Sequence, residues 1–277
     1  MIKSIGVCSW SLQPRDQADL IEKLTQCGIR RAQIALEPLI EDSSQHEFVL
    51  SAIAQGRIAL CSGMMQTVGE DYSTLESIRA TGGLRPDQHW EANRAIATRC
   101  ADLAQQLGLK LVTLHAGFIP EGNALDEQVM IGRLCTTAEI FNAKGITLGL
   151  ETGQETSDTL IGVLSTIVDR VDVAVNFDPA NMILYGMGDP IQALRALSPY
   201  TAQIHMKDAI ATQVPGTWGS EVAAGQGQVD WDALFDIVHA MDREIDVVIE
   251  REAGEQRVED IRTAAALAQS QIERVRS

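Results

Sequence analysis

Eight short apolar runs, each followed by a longer amphipathic stretch, set what this chain can fold into. The runs occupy positions 2–8, 31–36, 58–61, 110–114, 146–150, 171–177, 201–206 and 246–249. Each is rich in Ile, Val or Leu without strict alternation, as a parallel strand covered on both faces reads. Positions 15–27, 42–55, 86–107, 126–144, 156–168, 189–197, 230–241 and 256–274 read as the intervening helices. Gly28, Gly56, Gly108 and Gly145 stand just past four of them, where glycine ends a helix, and Pro86 and Pro190 stand near two starts. Eight such units in alternation predict an α/β fold of the (β/α)8 TIM-barrel kind. A doubly wound open sheet is the competing architecture, but the first run leads into Ser9-Trp10-Ser11-Leu12, not a glycine-rich phosphate loop. No linker or charge block divides the 277 residues, so 1–277 is expected to form a single domain. The longest irregular pieces, 62–85 and 209–229, are the expected functional loops.

Charge narrows the partners. Against 38 acidic residues stand 22 basic ones, a net charge of −16, and no basic patch interrupts it. Such a surface repels phosphate backbones and anionic lipid heads, which argues against nucleic-acid and membrane partners. The five cysteines form no CxxC pair, as scattered thiols in a reducing compartment would. No stretch approaches 18 consecutive apolar residues, and the first ten residues lack the apolar core of a signal peptide. A cytoplasmic location is the expectation.

In a barrel of this type the active site forms where the strands end. The fifth to eighth runs deliver Glu151, Asp178, His205 and Glu250 there. The first three lie one βα unit apart, and the last step is one unit plus the 209–229 loop. Adjacent strands are about 4.8 Å apart, so inward side chains from four of them can converge. A carboxylate left unpaired at such a place is costly, and a shared ion supplies the compensation. Three carboxylates and one imidazole suit a divalent metal, with Mn²⁺, Mg²⁺ or Co²⁺ preferred over a thiolate-loving ion. Mn²⁺ is the expected cofactor, with Zn²⁺ also open.

The same residues carry a resemblance. Leu150-Glu151, Phe177-Asp178-Pro179-Ala180-Asn181-Met182, Gln203-Ile204-His205-Met206-Lys207-Asp208-Ala209 and Ile249-Glu250-Arg251-Glu252 resemble the sugar phosphate isomerase/epimerase family. That family belongs to the xylose isomerase-like TIM-barrel superfamily, and the likeness is best over 111–257. It implies a metal held by Glu151, Asp178, His205 and Glu250, with Glu151 and Glu250 also the catalytic acid/base pair. One removes a proton beside a carbonyl and the other returns it to the opposite face, through an enediolate. It further implies a carbohydrate substrate and a homodimer or homotetramer. His115, Trp10, Asn181, Lys207, Arg251 and Arg257 are the candidates for contacting that substrate, each with a competing structural role. Gly225-Gln226-Gly227 with Asp230-Trp231 looks like a family loop, and equally like a turn and helix cap. Asp208 reads as a supporting or helix-start residue rather than a ligand.

Two departures keep the reaction open. Asn181 stands where several ketose epimerases carry a histidine, and no arginine follows His205 until Arg243. The principal expectation is a metal-dependent isomerase or epimerase acting on a sugar, sugar phosphate or keto-sugar. The alternative is a lyase or dehydratase using the same metal and base on a keto-sugar, inosose or keto-glycoside. A DNA-repair endonuclease of the superfamily fits poorly. Only five histidines occur, and His46, His89 and His239 fall in expected helices. A non-enzymatic sugar-binding role would require a degenerate quartet, and this one is intact.

Overall fold

The computed structural model describes residues 2–214 and 216–275. The ends of the expected 1–277 domain and position 215 of the expected 209–229 loop lie outside the described residues. Ten strands occur among these: β1 (Ile2–Cys8), β2 (Arg31–Ala35), β3 (Ala59–Met64), β4 (Leu111–Leu114), β5 (Thr147–Glu151), β6 (Val173–Phe177), β7 (Thr201–Met206), β8 (Asp208–Ile210), β9 (Ser220–Val222) and β10 (Ile245–Ile249). Eight of them close into a barrel in the order β1-β10-β7-β6-β5-β4-β3-β2. Every neighbouring pair is parallel, which closes the (β/α)8 barrel expected from the alternation.

The outer ring is made by helices Gln17–Gln26, Ser43–Ala54, Asp87–Gln106, Ala124–Asn142, Ser157–Ile167, Pro190–Leu197, Trp231–Ala240 and Arg257–Arg274. Their starts are written in the sequence. Asp16, Asp42, Asn123, Thr156, Asp189 and Asp230 each accept a hydrogen bond from a backbone N–H of the first turn, satisfying donors that the helix itself cannot. Phe141, Phe177 and Phe235 are among the large side chains buried completely between helices and sheet. No helix among the described residues is long and apolar enough to cross a membrane.

Both expected irregular pieces hold more structure than the sequence suggested. β3 runs on through Ser62 and Gly63 to Met64, past the 58–61 run. Ser62 and Gly63 looked like loop residues because neither is apolar. Ser62 instead points a buried hydroxyl to Gln203 across the barrel, and a side chain at Gly63 would crowd Leu109 and Leu36. Leu75–Thr81 is a helix opened by a capping box between Thr74 and Ser77. Residues 209–229 contain the antiparallel β8–β9 pair, which stands apart from the barrel. Two short helices, Glu37–Glu41 and Pro179–Tyr185, were also missed; the second starts directly behind β6 with Asp178 as its cap.

Asp208 is the anchor of this end of the molecule. Its buried carboxylate accepts from five N–H groups. Ala209 N and Val229 N donate to Oδ1 at 2.9 and 3.2 Å. Gly225 N, Gly227 N and Trp231 Nε1 donate to Oδ2 at 2.8, 3.1 and 3.1 Å. The Gly225-Gln226-Gly227 run is therefore a loop wrapped round a carboxylate. Gly227 leaves no room for a Cβ against Asp208, and Gly225 takes a φ of +87° that favours glycine. Asp208→Ala orphans five donors and is expected to cost about 3 kcal/mol or more of stability. Thermal unfolding checks this, and an unchanged midpoint would show that the loop is held by something else.

Candidate functional site

Strands β5, β6, β7 and β10 are consecutive neighbours in the closed sheet. Glu151 is the last residue of β5 and His205 the penultimate residue of β7; Asp178 and Glu250 follow β6 and β10 directly. The structure brings these four together, all buried, with one ligand-type atom of each within 4.8 Å of the others. His205 Nδ1 lies 3.4 Å from Glu151 Oε1, 3.4 Å from Glu250 Oε2 and 3.9 Å from Asp178 Oδ2. Neither His205 Nδ1 nor Asp178 Oδ2 has a hydrogen-bond partner. Buried polar atoms are normally satisfied, so two orphans facing the same point mark an incomplete cluster. The donors are hard oxygens and one nitrogen, and the set fits a divalent ion. Cys8 is not part of it: its Sγ is 3.6 Å from His205 Nε2, on the other ring nitrogen.

The electrostatics follow from burial and crowding. Burial pushes the Asp178 carboxyl well above the usual range, and Glu250 and Glu151 add to this against the pull of Lys207. Burial would also raise Glu151, but His115 and His205 outweigh it and hold that carboxyl low. Lys207 and His205 likewise overcome burial at Glu250 and hold it well below the usual range. Burial alone would lower His205, whereas Cys8, Glu151 and Glu250 around it raise it well above an ordinary imidazole. The Cys8 thiol is pushed up by burial and stays neutral.

Beneath the quartet lies a polar layer that sequence reading missed. Cys8, Gln33 and Ser62 are register neighbours across β1, β2 and β3, and Asn176 and Gln203 across β6 and β7. Gln33 Oε1 sits 2.6 Å from His205 Nε2 and also accepts from Gln203 Nε2 at 3.1 Å. Gln33 Nε2 donates to Thr113 Oγ1 at 2.7 Å, which fixes the amide orientation. The 2.6 Å contact with Gln33 Oε1 assigns the proton to Nε2, which Asn176 Nδ2 also approaches at 3.0 Å, and Nδ1 is then the nitrogen that faces the three acids. Asn176 Nδ2 donates to Glu151 Oε2 at 3.0 Å, and Asn176 Oδ1 accepts from Gln203 Nε2 at 3.1 Å. Part of the signal was present: Gln33, Asn176 and Gln203 are polar residues inside apolar runs, where each must find a partner.

Above the quartet opens a cavity of about 500 Å³. Trp10, His115, Asn181 and Lys207 line it, as does Glu250. Trp10 was expected as an apolar wall, but its indole N–H donates to Glu250 Oε1 at 2.8 Å. Asn181 Nδ2 donates to Glu151 Oε1 at 3.0 Å, and His115 Nε2 stands 3.4 Å from the same oxygen. Lys207 Nζ donates to Glu250 Oε2 at 2.9 Å and to Asn181 Oδ1 at 3.1 Å, and also to Glu252. The remaining two expected contacts are corrected. Arg251 and Arg257 do not line the cavity. Arg251 is bound to Asp260 and Glu221 at 2.8 and 2.7 Å, and Arg257 donates to the carbonyls of Arg251, Glu252 and Gly254. A local acid on one side and open carbonyls on the other claim both guanidiniums. Unexpected lining comes from Glu37, Glu70, Tyr72, Tyr185, Trp218 and Glu252, and three of these, Glu70, Tyr72 and Trp218, belong to the two pieces read as irregular.

Comparison with known proteins agrees with this fold. The family model described as a xylose isomerase-like TIM barrel matches residues 22–273. A xylose isomerase domain protein from Planctomyces limnophilus superposes with a TM-score of 0.86 at 28% identity, covering 92% of each chain. The 3-keto-D-glucoside 4-epimerase YcjR from E. coli shares the fold at a TM-score of 0.73 and 17% identity, over 98% of this chain and 100% of that one. Among curated proteins, the uncharacterized protein YihM of Escherichia coli (strain K12) is 29% identical over 138 residues. That match spans 48% of this chain and 42% of YihM.

Gln33 is expected to govern how well His205 holds a ligand. Gln33→Leu leaves His205 Nε2 and Thr113 without their partner. It is expected to weaken divalent-ion binding by about 10- to 100-fold. Titration calorimetry with Mn²⁺, beside a thermal melt that reports folding, checks this; unchanged affinity would remove Gln33 from the support of the site.

Proposed function

The chain belongs to the xylose isomerase-like TIM-barrel family, and on that basis we propose that it is a divalent-metal-dependent isomerase or epimerase of a sugar. The reaction is proton abstraction beside a carbonyl, through an enediolate. The observation that carries this reading is the pair Glu151 and Glu250. Both are held ionised, and both lie 3.4 Å from His205 Nδ1, although they come from strands separated by two others. One relative in fold is a 3-keto-D-glucoside 4-epimerase, which supports the same reaction class.

Glu151, Asp178, His205 and Glu250 would hold the ion, and Mn²⁺ suits their mixed oxygen and nitrogen donors. A bound divalent ion supplies a Lewis acid that polarises the substrate carbonyl. The chain's own groups do the rest. One glutamate, as its carboxylate, takes the proton from the carbon beside the carbonyl, while the other, having first taken up a proton from solvent, enters as the carboxylic acid and delivers that proton to the opposite face, so that the two exchange protonation states in each turnover. Each is aimed by a donor that does not itself react: Asn181 and Asn176 at Glu151, Trp10 at Glu250. Burial of the quartet excludes water, so the enediolate is reprotonated by a side chain rather than by solvent.

The test is proton exchange in D₂O, followed by NMR, with Mn²⁺ and a panel of ketoses, ketose phosphates and keto-glycosides. Deuterium is expected beside the carbonyl of one class. Glu151→Gln and Glu250→Gln are each expected to lower the rate by about 10²–10⁴-fold while leaving the melting curve near wild type. His205→Ala is expected to reduce bound metal. A product with a new double bond and loss of water would select the lyase reading. No exchange with any compound, with metal bound, would sink both.

A further inference from the structure

The charge and the walls of the cavity say which sugars it admits. Six carboxylates gather at the quartet and around it: Glu37, Glu70, Glu151, Asp178, Glu250 and Glu252. Among the residues lining the cavity, Lys207 is the one lysine or arginine. Its ammonium is already spent on Glu250, Glu252 and Asn181. Nearby guanidiniums are committed elsewhere: Arg251 to Asp260 and Glu221, Arg79 over the Phe118 ring at 4.8 Å. Glu70, at the mouth, is held by neutral donors, Thr67 Oγ1 at 2.7 Å, Gly83 N at 3.2 Å and the Tyr72 hydroxyl at 3.3 Å. A divalent ion in the quartet balances only part of this charge. A phosphate or carboxylate entering the cavity would therefore face net negative potential with no free cation to meet it.

The aromatic part of the cavity lining is built differently. Tyr185 packs edge-on against Trp218 at 4.8 Å and against Phe118 at 5.8 Å. With Leu184 and Tyr72 these rings make an apolar wall. The wall is fixed in place. Gly219 N donates to Leu184 O at 3.2 Å, joining the Trp218 segment to the helix that carries Tyr185. Glu221 of β9 accepts from Arg251, from Glu252 N at 2.9 Å and from Ala253 N at 3.2 Å, joining the same hairpin to the end of β10. A rigid aromatic face beside a polar reacting end suits a ligand with the same two halves.

Resting on the sugar-enolising reading above, we propose that the substrate is an uncharged keto-sugar carrying an apolar or ring-bearing substituent, a keto-glycoside, and that phosphorylated and carboxylated sugars are excluded. The polyhydroxy ring occupies the quartet end and the substituent lies on Tyr185 and Trp218.

Binding measured apart from turnover tests this. The Mn²⁺-loaded protein is offered phenyl β-D-glucoside, methyl β-D-glucoside and glucose 6-phosphate, with affinities read by saturation-transfer NMR. The phenyl glucoside is expected to bind about tenfold or more tighter than the methyl glucoside. Glucose 6-phosphate is expected to bind weakest, with its deficit narrowing as salt screens the site. Trp218→Ala is expected to erase most of the phenyl preference, and Glu70→Gln to improve glucose 6-phosphate binding. Glucose 6-phosphate binding as well as the methyl glucoside would overturn the proposal, as would a phenyl preference untouched in Trp218→Ala, or binding of none of the three. The two readings fail separately. Deuterium exchange into a sugar phosphate keeps the reaction and overturns the glycoside assignment. The expected binding order without exchange in any keto-glycoside overturns the reaction and keeps the assignment.

Discussion

A buried charge must be matched, and the C-terminal end of this barrel is organised by that requirement. Removing a carboxylate from water costs several kcal/mol unless partners replace the solvent. Three carboxylates, an imidazole and an ammonium meet there with almost no exposure. They tolerate one another because the charges alternate: His205 among Glu151, Asp178 and Glu250, and Lys207 among Glu250, Glu252 and Asp178. The matching is incomplete only at Asp178 Oδ2 and His205 Nδ1. A purely structural cluster would avoid that incompleteness, and a divalent ion is what the proposed function places there.

The fold was legible because a barrel is a repetition. Eight apolar runs with helices between them need no tertiary information to be counted, and glycines after helices with Asp, Asn or Thr before them mark the borders. The quartet was legible for the same reason: acids and a histidine at the ends of successive runs are conspicuous where apolar residues stop. What was not legible depends on contacts distant in sequence. Trp10 reads as a wall until its indole N–H is seen on Glu250, 240 residues away. Arg251 and Arg257 read as anion binders until Glu221, Asp260 and the loop carbonyls are seen to hold them. Residues 62–85 and 209–229 read as irregular because their lengths suit loops, yet they supply Tyr72 and Trp218 to the cavity.

The polar layer under the quartet belongs between these cases. Gln33, Thr113, Asn176 and Gln203 fall inside apolar runs and Ser62 directly after one, and each is fully buried. Any one of them alone reads as a tolerated polar residue. Their joint meaning appears only when the sheet closes. β3 and β7 then stand opposite each other in the eight-strand order, and Ser62 Oγ donates to Gln203 Oε1 across the barrel at 2.6 Å.

That layer links closure of the barrel to the competence of the site. A barrel interior filled with branched aliphatic side chains would be simpler to pack and would carry no risk of unpaired groups. It would also leave His205 Nε2 without an acceptor, and the ring free to present either nitrogen. In this chain the acceptor is Gln33 on β2, itself held by Thr113 on β4 and Gln203 on β7. Three strands from different parts of the circle must be in register before the imidazole is aimed. The chain thus accepts a polar core, in which one missing partner is costly, and gains an imidazole whose orientation is set by closure of the sheet rather than by a mobile loop.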